Sequence, residues 1–287
     1  MDISRYPAGN RYHFMAVEHD TAMTEVTKFE PRTLREKLGV ESPAALPWIN
    51  MLIYGDPGVG KTRLAGSSIL NPDMSPVLII DIDGGAATLK SMGWDEIDVV
   101  QVRSMKHMQS IIAELEKRPE YYKTIGIDSL GELQKLDMNF IMKEAYSRNP
   151  NSVDKDVPSP REWGKTLMHM RDVVRSVRDL PCNTVLTCHA KVEVNNETAR
   201  MTYWPSMPGK MAAELAGFVD IVGYFYVNSV KVRNEKTNRS EYRNVRTIMF
   251  EDDGFHKAKT RFNQIPSVVE NPTMPMLWEM LNKNEGT

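Results

Sequence analysis

Cysteine is nearly absent, with two residues in a chain of 287, Cys182 and Cys188, six apart around one predicted strand. That excludes the disulfide framework of a small secreted domain and points to buried thiols in a reducing cytoplasm. No apolar run approaches the ~18–20 residues that cross a bilayer, and the N-terminus has no signal-peptide core, so no membrane contact is expected. Excess charge is missing too. With 36 Lys and Arg against 38 Asp and Glu, a polyanion must be met by a local basic patch, not by a global field. His13 and His19 have no companion ligands and read as solvated. A guanine-reading N-K-x-D at the expected place is also lacking, which argues against a GTPase. Hydrophobic residues, at 41%, suffice for a core, and the length suits one large α/β domain with decorations or two small ones.

What is present centres on Gly55-Asp56-Pro57-Gly58-Val59-Gly60-Lys61-Thr62, which fits G-x-x-x-x-G-K-[ST] throughout. The short apolar run Ile49–Tyr54 precedes it and Arg63–Leu70, able to be helical, follows. Strand, glycine loop and helix form the context of a phosphate cradle. The glycines permit backbone that a Cβ forbids, so that loop N–H groups converge on phosphate oxygens beside the positive end of a helix. Lys61 then reaches the β- and γ-phosphates, Thr62 ligates Mg²⁺, and Arg63 flanks the nucleotide.

Two further buried strands close on carboxylates. Pro76–Asp83 is continuously apolar up to Asp81 and Asp83, two apart and therefore on one face. Asp83, at the tip, is positioned to polarise an attacking water; the competing reading is that both aspartates cap the next helix, Ala86–Met92. Tyr122–Ser129 follows the Walker B pattern, with Asp128 holding Mg²⁺. The strand Asn183–His189 ends in His189 at the same sheet edge, where a γ-phosphate sensor belongs, against a histidine satisfied by local hydrogen bonds.

The intervening periodicity gives helices over Ser104–Lys117, Leu130–Tyr146 and Arg161–Leu180, the last with Trp163, Leu167, Met170, Val173, Val174 and Val177 inward. Ser147–Pro160 is a loop. Lys191–Val194 and Met201–Trp204 alternate around Asn195-Asn196 as a hairpin. Its Lys191, Arg200, Tyr203 and Trp204, with Lys210, mix cations and rings as single-stranded DNA requires, though an ordinary surface hairpin has the same composition. Phe218–Val227 is a strand, Lys231–Arg243 a polar tip and Asn244–Glu251 the return. Residues 227–262 carry nine Lys and Arg against five Asp and Glu. Lys259 and Arg261 alternate on one side of a strand, able to reach a phosphate of this or a neighbouring chain, or else forming a solvated edge. The expected divisions are an arm over 1–46, a core over 47–266, and a tail over 267–287 with a helix near Pro275–Leu281.

GDPGVGKT, VLIIDIDGG, YKTIGIDS, TVLTCHA, PSMPGKMAAELAGFVDIVGYFYV and AKTRF stand in an order and spacing that resembles the RecA-core ATPases over roughly residues 48–266. Within them the chain is similar to a phage and prophage branch of AAA-family ATP-binding proteins, some of which anneal or recombine single-stranded DNA. The resemblance implies an α/β RecA-like P-loop NTPase core, a mostly parallel sheet flanked by helices with antiparallel C-terminal strands. It implies ATP and Mg²⁺ bound by Lys61, Thr62 and Asp128, with Asp83 where the family carries a catalytic glutamate and His189 where many carry a sensing glutamine. Lys259 and Arg261 match a K-x-R pair that acts on the ATP of an adjacent subunit, and 147–160 and 190–209 match the two DNA-binding loops. Homo-oligomers, single-stranded DNA and a single-strand-binding or replication partner follow as expectations. Asp83 is one methylene short of glutamate and no extra DNA-binding domain is evident, so slow hydrolysis or an ATP-dependent switch or loader acting through protein partners stays open. A small-molecule kinase would need a substrate lid and its own acid or base, for which no clear candidate stands out.

Overall fold

The computed structural model describes residues 37, 48–233 and 240–282; apart from residue 37 the expected arm, with His13 and His19, lies outside the described residues, as do residues 234–239 and 283–287. Short apolar runs build strands buried along their length: β1 (Asn50–Gly55), β2 (Val77–Asp81), β4 (Thr124–Asp128) and the first half of β5 (Asn183–Val194). Strands of this kind belong in a parallel sheet covered on both faces. With β3 (Asp98–Gln101), β6 (Met201–Pro205), β7 (Ile221–Arg233), β8 (Ser240–Met249), β9 (Lys259–Thr260) and β10 (Val268–Glu270) they form one sheet, ordered β10-β8-β7-β1-β5-β4-β2-β3. From β3 to β7 the neighbours are parallel; β6, β8, β9 and β10 add antiparallel to β5, β7, β7 and β8.

Alternation along β1 divides the core. Met51 and Ile53 face α1 (Lys61–Gly66), α2 (Ala87–Ser91) and α7 (Met274–Asn282), whereas Leu52 and Tyr54 face α3 (Met105–Lys117), α4 (Leu130–Arg148), α5 (Pro160–Arg178) and α6 (Met211–Phe218). At the start of α5 the inward residues are Glu162 and Thr166, and Trp163 is only half-buried. The cause is a capping box: Ser159 and Glu162 bond reciprocally and turn Glu162 toward the protein.

Two departures from the sequence pattern shape the nucleotide edge. β7 and β8 pair continuously from Tyr224↔Met249 to Arg233↔Ser240, so the described parts of the expected polar tip, 231–233 and 240–243, are ribbon, and the rest of it lies outside the described residues. A ribbon solvated on both faces has no apolar alternation to reveal it. The sheet also continues past residue 266: β10 pairs with β8, and α7 buries Met274 and Leu277 beside α1, with Met274 N donating to Ser67 Oγ at 2.8 Å. Because Gly55 pairs with His189 on one side and Phe225 on the other, the outer parts of β5–β6 and β7–β8 project beyond the carboxyl edge of the parallel strands.

Candidate functional site

The Gly55–Thr62 loop leaves β1 at this edge and enters α1. Gly58 (φ +82°) and Gly60 (φ +114°) hold the left-handed backbone that the turn requires. Lys61 is buried, and its Nζ donates to the Gly55 and Asp56 carbonyls at 2.9 Å each. Burial lowers its pKa, and the Asp128 charge opposes that shift.

Thr62 Oγ1 donates to Asp128 Oδ2, and Thr187 Oγ1 donates to Asp128 Oδ1, so the carboxylate at the end of β4 is held from both sides. Beside it runs Gly85, whose missing Cβ would stand 3.3 Å from Asp128 Oδ2 and 3.4 Å from Thr62 Oγ1. An all-oxygen donor pair in a space that a methyl group would fill suits Mg²⁺. Among the described residues there is no cluster of three His, Cys, Asp or Glu that would suit a softer metal.

The two β2 aspartates have different partners. Asp81 accepts from Gly84, Gly85 and Ala86 N at 2.8, 3.1 and 3.3 Å and fixes the turn into α2, which is the capping reading. Asp83 caps nothing there. Its Oδ1 accepts from Ser129 N at 3.2 Å and Oγ at 3.1 Å, and its Oδ2 lies 3.7 Å from His189 Nε2. Burial raises its pKa; the neighbouring Asp128 charge adds to this and Ser129 opposes it. His189 Nδ1 is enclosed without a hydrogen-bond partner among the described residues. Lys61, Thr62, Asp83, Asp128 and His189 therefore converge at one place, as their strand ends predict.

Lys259 and Arg261 stand elsewhere. Lys259 pairs across from Val222, and Arg261 donates to Asp220 at 2.9 Å, beside the first residues of β1 and β7. They are at the amino edge, a strand's length from this chain's own phosphate loop. Burial, then the Arg261 charge, lowers the Lys259 pKa.

The five residues expected to meet DNA are mostly engaged within the fold. Lys191 bonds Glu193 at 2.6 Å, Arg200 donates to the Gly254 carbonyl at 2.6 Å, and Lys257 lies over the Trp204 ring. Tyr203 stacks on His256, which stacks on Tyr224. Tyr203 also faces away from Lys191 and Trp204, which share the other side of the hairpin. Lys210 is exposed at the start of α6. Cys182 and Cys188 are buried free thiols, pushed by burial up to about 12.

Three contributors escaped sequence reasoning. Ser129 and Thr187 had a signal, as polar residues in or beside buried strand ends next to the site. Arg246 had none: it comes from the solvated ribbon, yet its Nε donates to the Val59 carbonyl at 3.0 Å. With Arg63, Trp94, Phe225 and residues 271–273 it walls a cavity of about 110 Å³ against the phosphate loop. Thr187→Val should lower Mg²⁺ affinity about 10–100-fold, as loss of a ligand's supporting bond does elsewhere. Mg²⁺ titration of fluorescent-ATP binding reads this, with the melting temperature as a check on folding.

Fold and loop define an α/β P-loop nucleotide-binding domain with a mostly parallel central sheet. More particularly, residues 48–262 match the family described as AAA domain, and the chain belongs to that family. Two solved structures are similar at 13% identity. One is an ATPase of the type III secretion system of pathogenic bacteria, covering 61% of this chain and 51% of that one at a TM-score of 0.36. The other is EscN of the type III secretion system of enteropathogenic E. coli, covering 62% and 43% at 0.37. The chain spans about half or less of the length of either. No curated protein matches it. No helix among the described residues is long and apolar enough to cross a membrane.

Proposed function

We propose that this protein binds MgATP and hydrolyses it, and that hydrolysis serves an oligomer acting on single-stranded DNA in phage recombination or replication. The observation that carries the chemistry is the convergence of Lys61, Thr62 and Asp128 with Asp83 at one sheet edge. Thr62 and Asp128 would hold Mg²⁺, which when bound would neutralise phosphate charge. Gly58, Gly60 and Lys61 cradle the phosphates, with Arg246 closing over the loop at the Val59 carbonyl. Asp83, held by Ser129, orients and deprotonates the attacking water. His189, beside Asp83, reads the γ-phosphate. Lys259 and Arg261, distant from their own loop, complete the site of a neighbouring copy. The DNA part of the reading draws on the exposed cations of the projecting ribbons.

The test is the ATPase rate per chain against protein concentration, with and without single-stranded DNA. A rate that rises with both is expected. A rate indifferent to both removes the oligomer and the DNA and leaves a simple ATPase. The internal engagement of Lys191, Arg200 and Tyr203 favours the second reading, a switch or loader working through protein partners. Tight ATP binding without turnover would select it.

A further inference from the structure

We infer that the face of the β7–β8 ribbon on the α1 side is a binding face for single-stranded nucleic acid, which rests on the DNA part of the function proposed above and gives it a location. Strand alternation sorts the ribbon sharply. Ser229, Lys231 and Arg233 of β7 share one face with Tyr242, Asn244 and Arg246 of β8. Among the described residues that face holds three cations and no carboxylate. The opposite face carries, among the described residues, one charge of each sign, Arg243 and Glu241. Tyr242 is 75% exposed and stands directly across from Lys231. Among the described residues neither Lys231 nor Arg233 has an ion-pair partner. The cations of the β5–β6 hairpin, by contrast, are held by their own fold.

The chemistry of the face selects its ligand. Lysine and arginine at alternate positions meet phosphates along a strand, and a free phenol ring offers a stacking surface that any unpaired base can use. A duplex hides its base faces, so it gains only the charge. From Arg246 to Ser240 the face runs about 20 Å at about 3.4 Å per residue. It ends at the phosphate loop, where Arg246 touches the Val59 carbonyl and crowds Gly60, its guanidine group within 3.4 Å of where a Cβ would stand. A ligand along this face therefore lies on the same rigid ladder as a residue that touches the nucleotide cradle.

The experiment uses the full chain and the fluorescence anisotropy of labelled dT20 across 50–200 mM salt. Lys231→Glu with Arg233→Glu should raise Kd at least tenfold and flatten the salt slope by about 0.7 for each phosphate no longer neutralised. Tyr242→Ala should weaken binding about 5–100-fold without changing that slope, since stacking releases no counterion. Both variants lie on exposed ribbon, and unchanged melting temperatures verify their folding. A duplex of the same length should compete less well than dT20. If the ribbon variants bind like the parent while Lys191→Glu with Lys210→Glu abolishes binding, this inference falls and the single-strand reading survives. If the parent chain does not bind dT20 at low salt, both fall.

Discussion

Asp83→Asn should lower steady-state ATP turnover by about 10²–10⁴-fold, the range that a positioned general base contributes. Affinity for a fluorescent ATP analogue should change little, because the Asp83 side chain bonds neither the loop nor the Asp128 carboxylate; its partners are Ser129 and His189. The same substitution should raise the melting temperature at neutral pH. Burial and the Asp128 charge make Asp83 harder to ionise in the fold than in the unfolded chain. The folded state is thus favoured relative to the unfolded one below the ordinary aspartate value of about 3.9. It loses that advantage as pH climbs to the raised folded value, and above it the whole penalty stands. Asparagine carries no charge to penalise, so the gain should be present at pH 7 and vanish in acid. Turnover that survives the substitution would assign the base elsewhere. A lowered melting temperature would refute the electrostatic account.

Gly55→Ala should destabilise the fold by about 3 kcal/mol, at the upper end of ordinary overpacking, and lower the melting temperature by about 6–12 °C. ATP affinity should fall at least tenfold with it. The added Cβ would meet the Phe225 carbonyl oxygen well inside van der Waals contact, and that oxygen is backbone on the paired strand β7. No rotamer relieves the clash; either the β1–β7 pairing opens or the loop leaves its path. Gly58→Ala is the control. A Cβ there meets nothing within 4 Å, so only its φ of +82° opposes the change, at about 1–2 kcal/mol. Equal losses at both positions, by thermal unfolding, would show that backbone strain and not the Phe225 clash governs the loop.

The sequence made the core of this site legible because buried parallel strands are continuous apolar words that stop at the functional edge. Asp83, Asp128 and His189 each end such a word, and the glycine loop begins after another. Asp81 illustrates the limit: spacing alone set it beside Asp83, while its partners are the amides of its own turn. Arg246 and the long ribbon were illegible for a different reason. A two-stranded ribbon in water buries neither face, so its register leaves no hydrophobic period to read. The hairpin at 190–205 was found by alternation, but alternation cannot tell a free cation from one already held, as Arg200 is by the Gly254 carbonyl.

The grip of Asp220 on Arg261 fixes those cations at the foot of the strands, with the glycine loop at their crown. A second chain that stacked its foot on this crown, as the function proposed above asks, would make a contact whose two sides differ. Repeated in one direction, such a joint leaves one crown and one foot unmet until a circle closes or a helix grows. A two-fold pair could use both pairs of cations only by lying antiparallel, each foot at the other's crown.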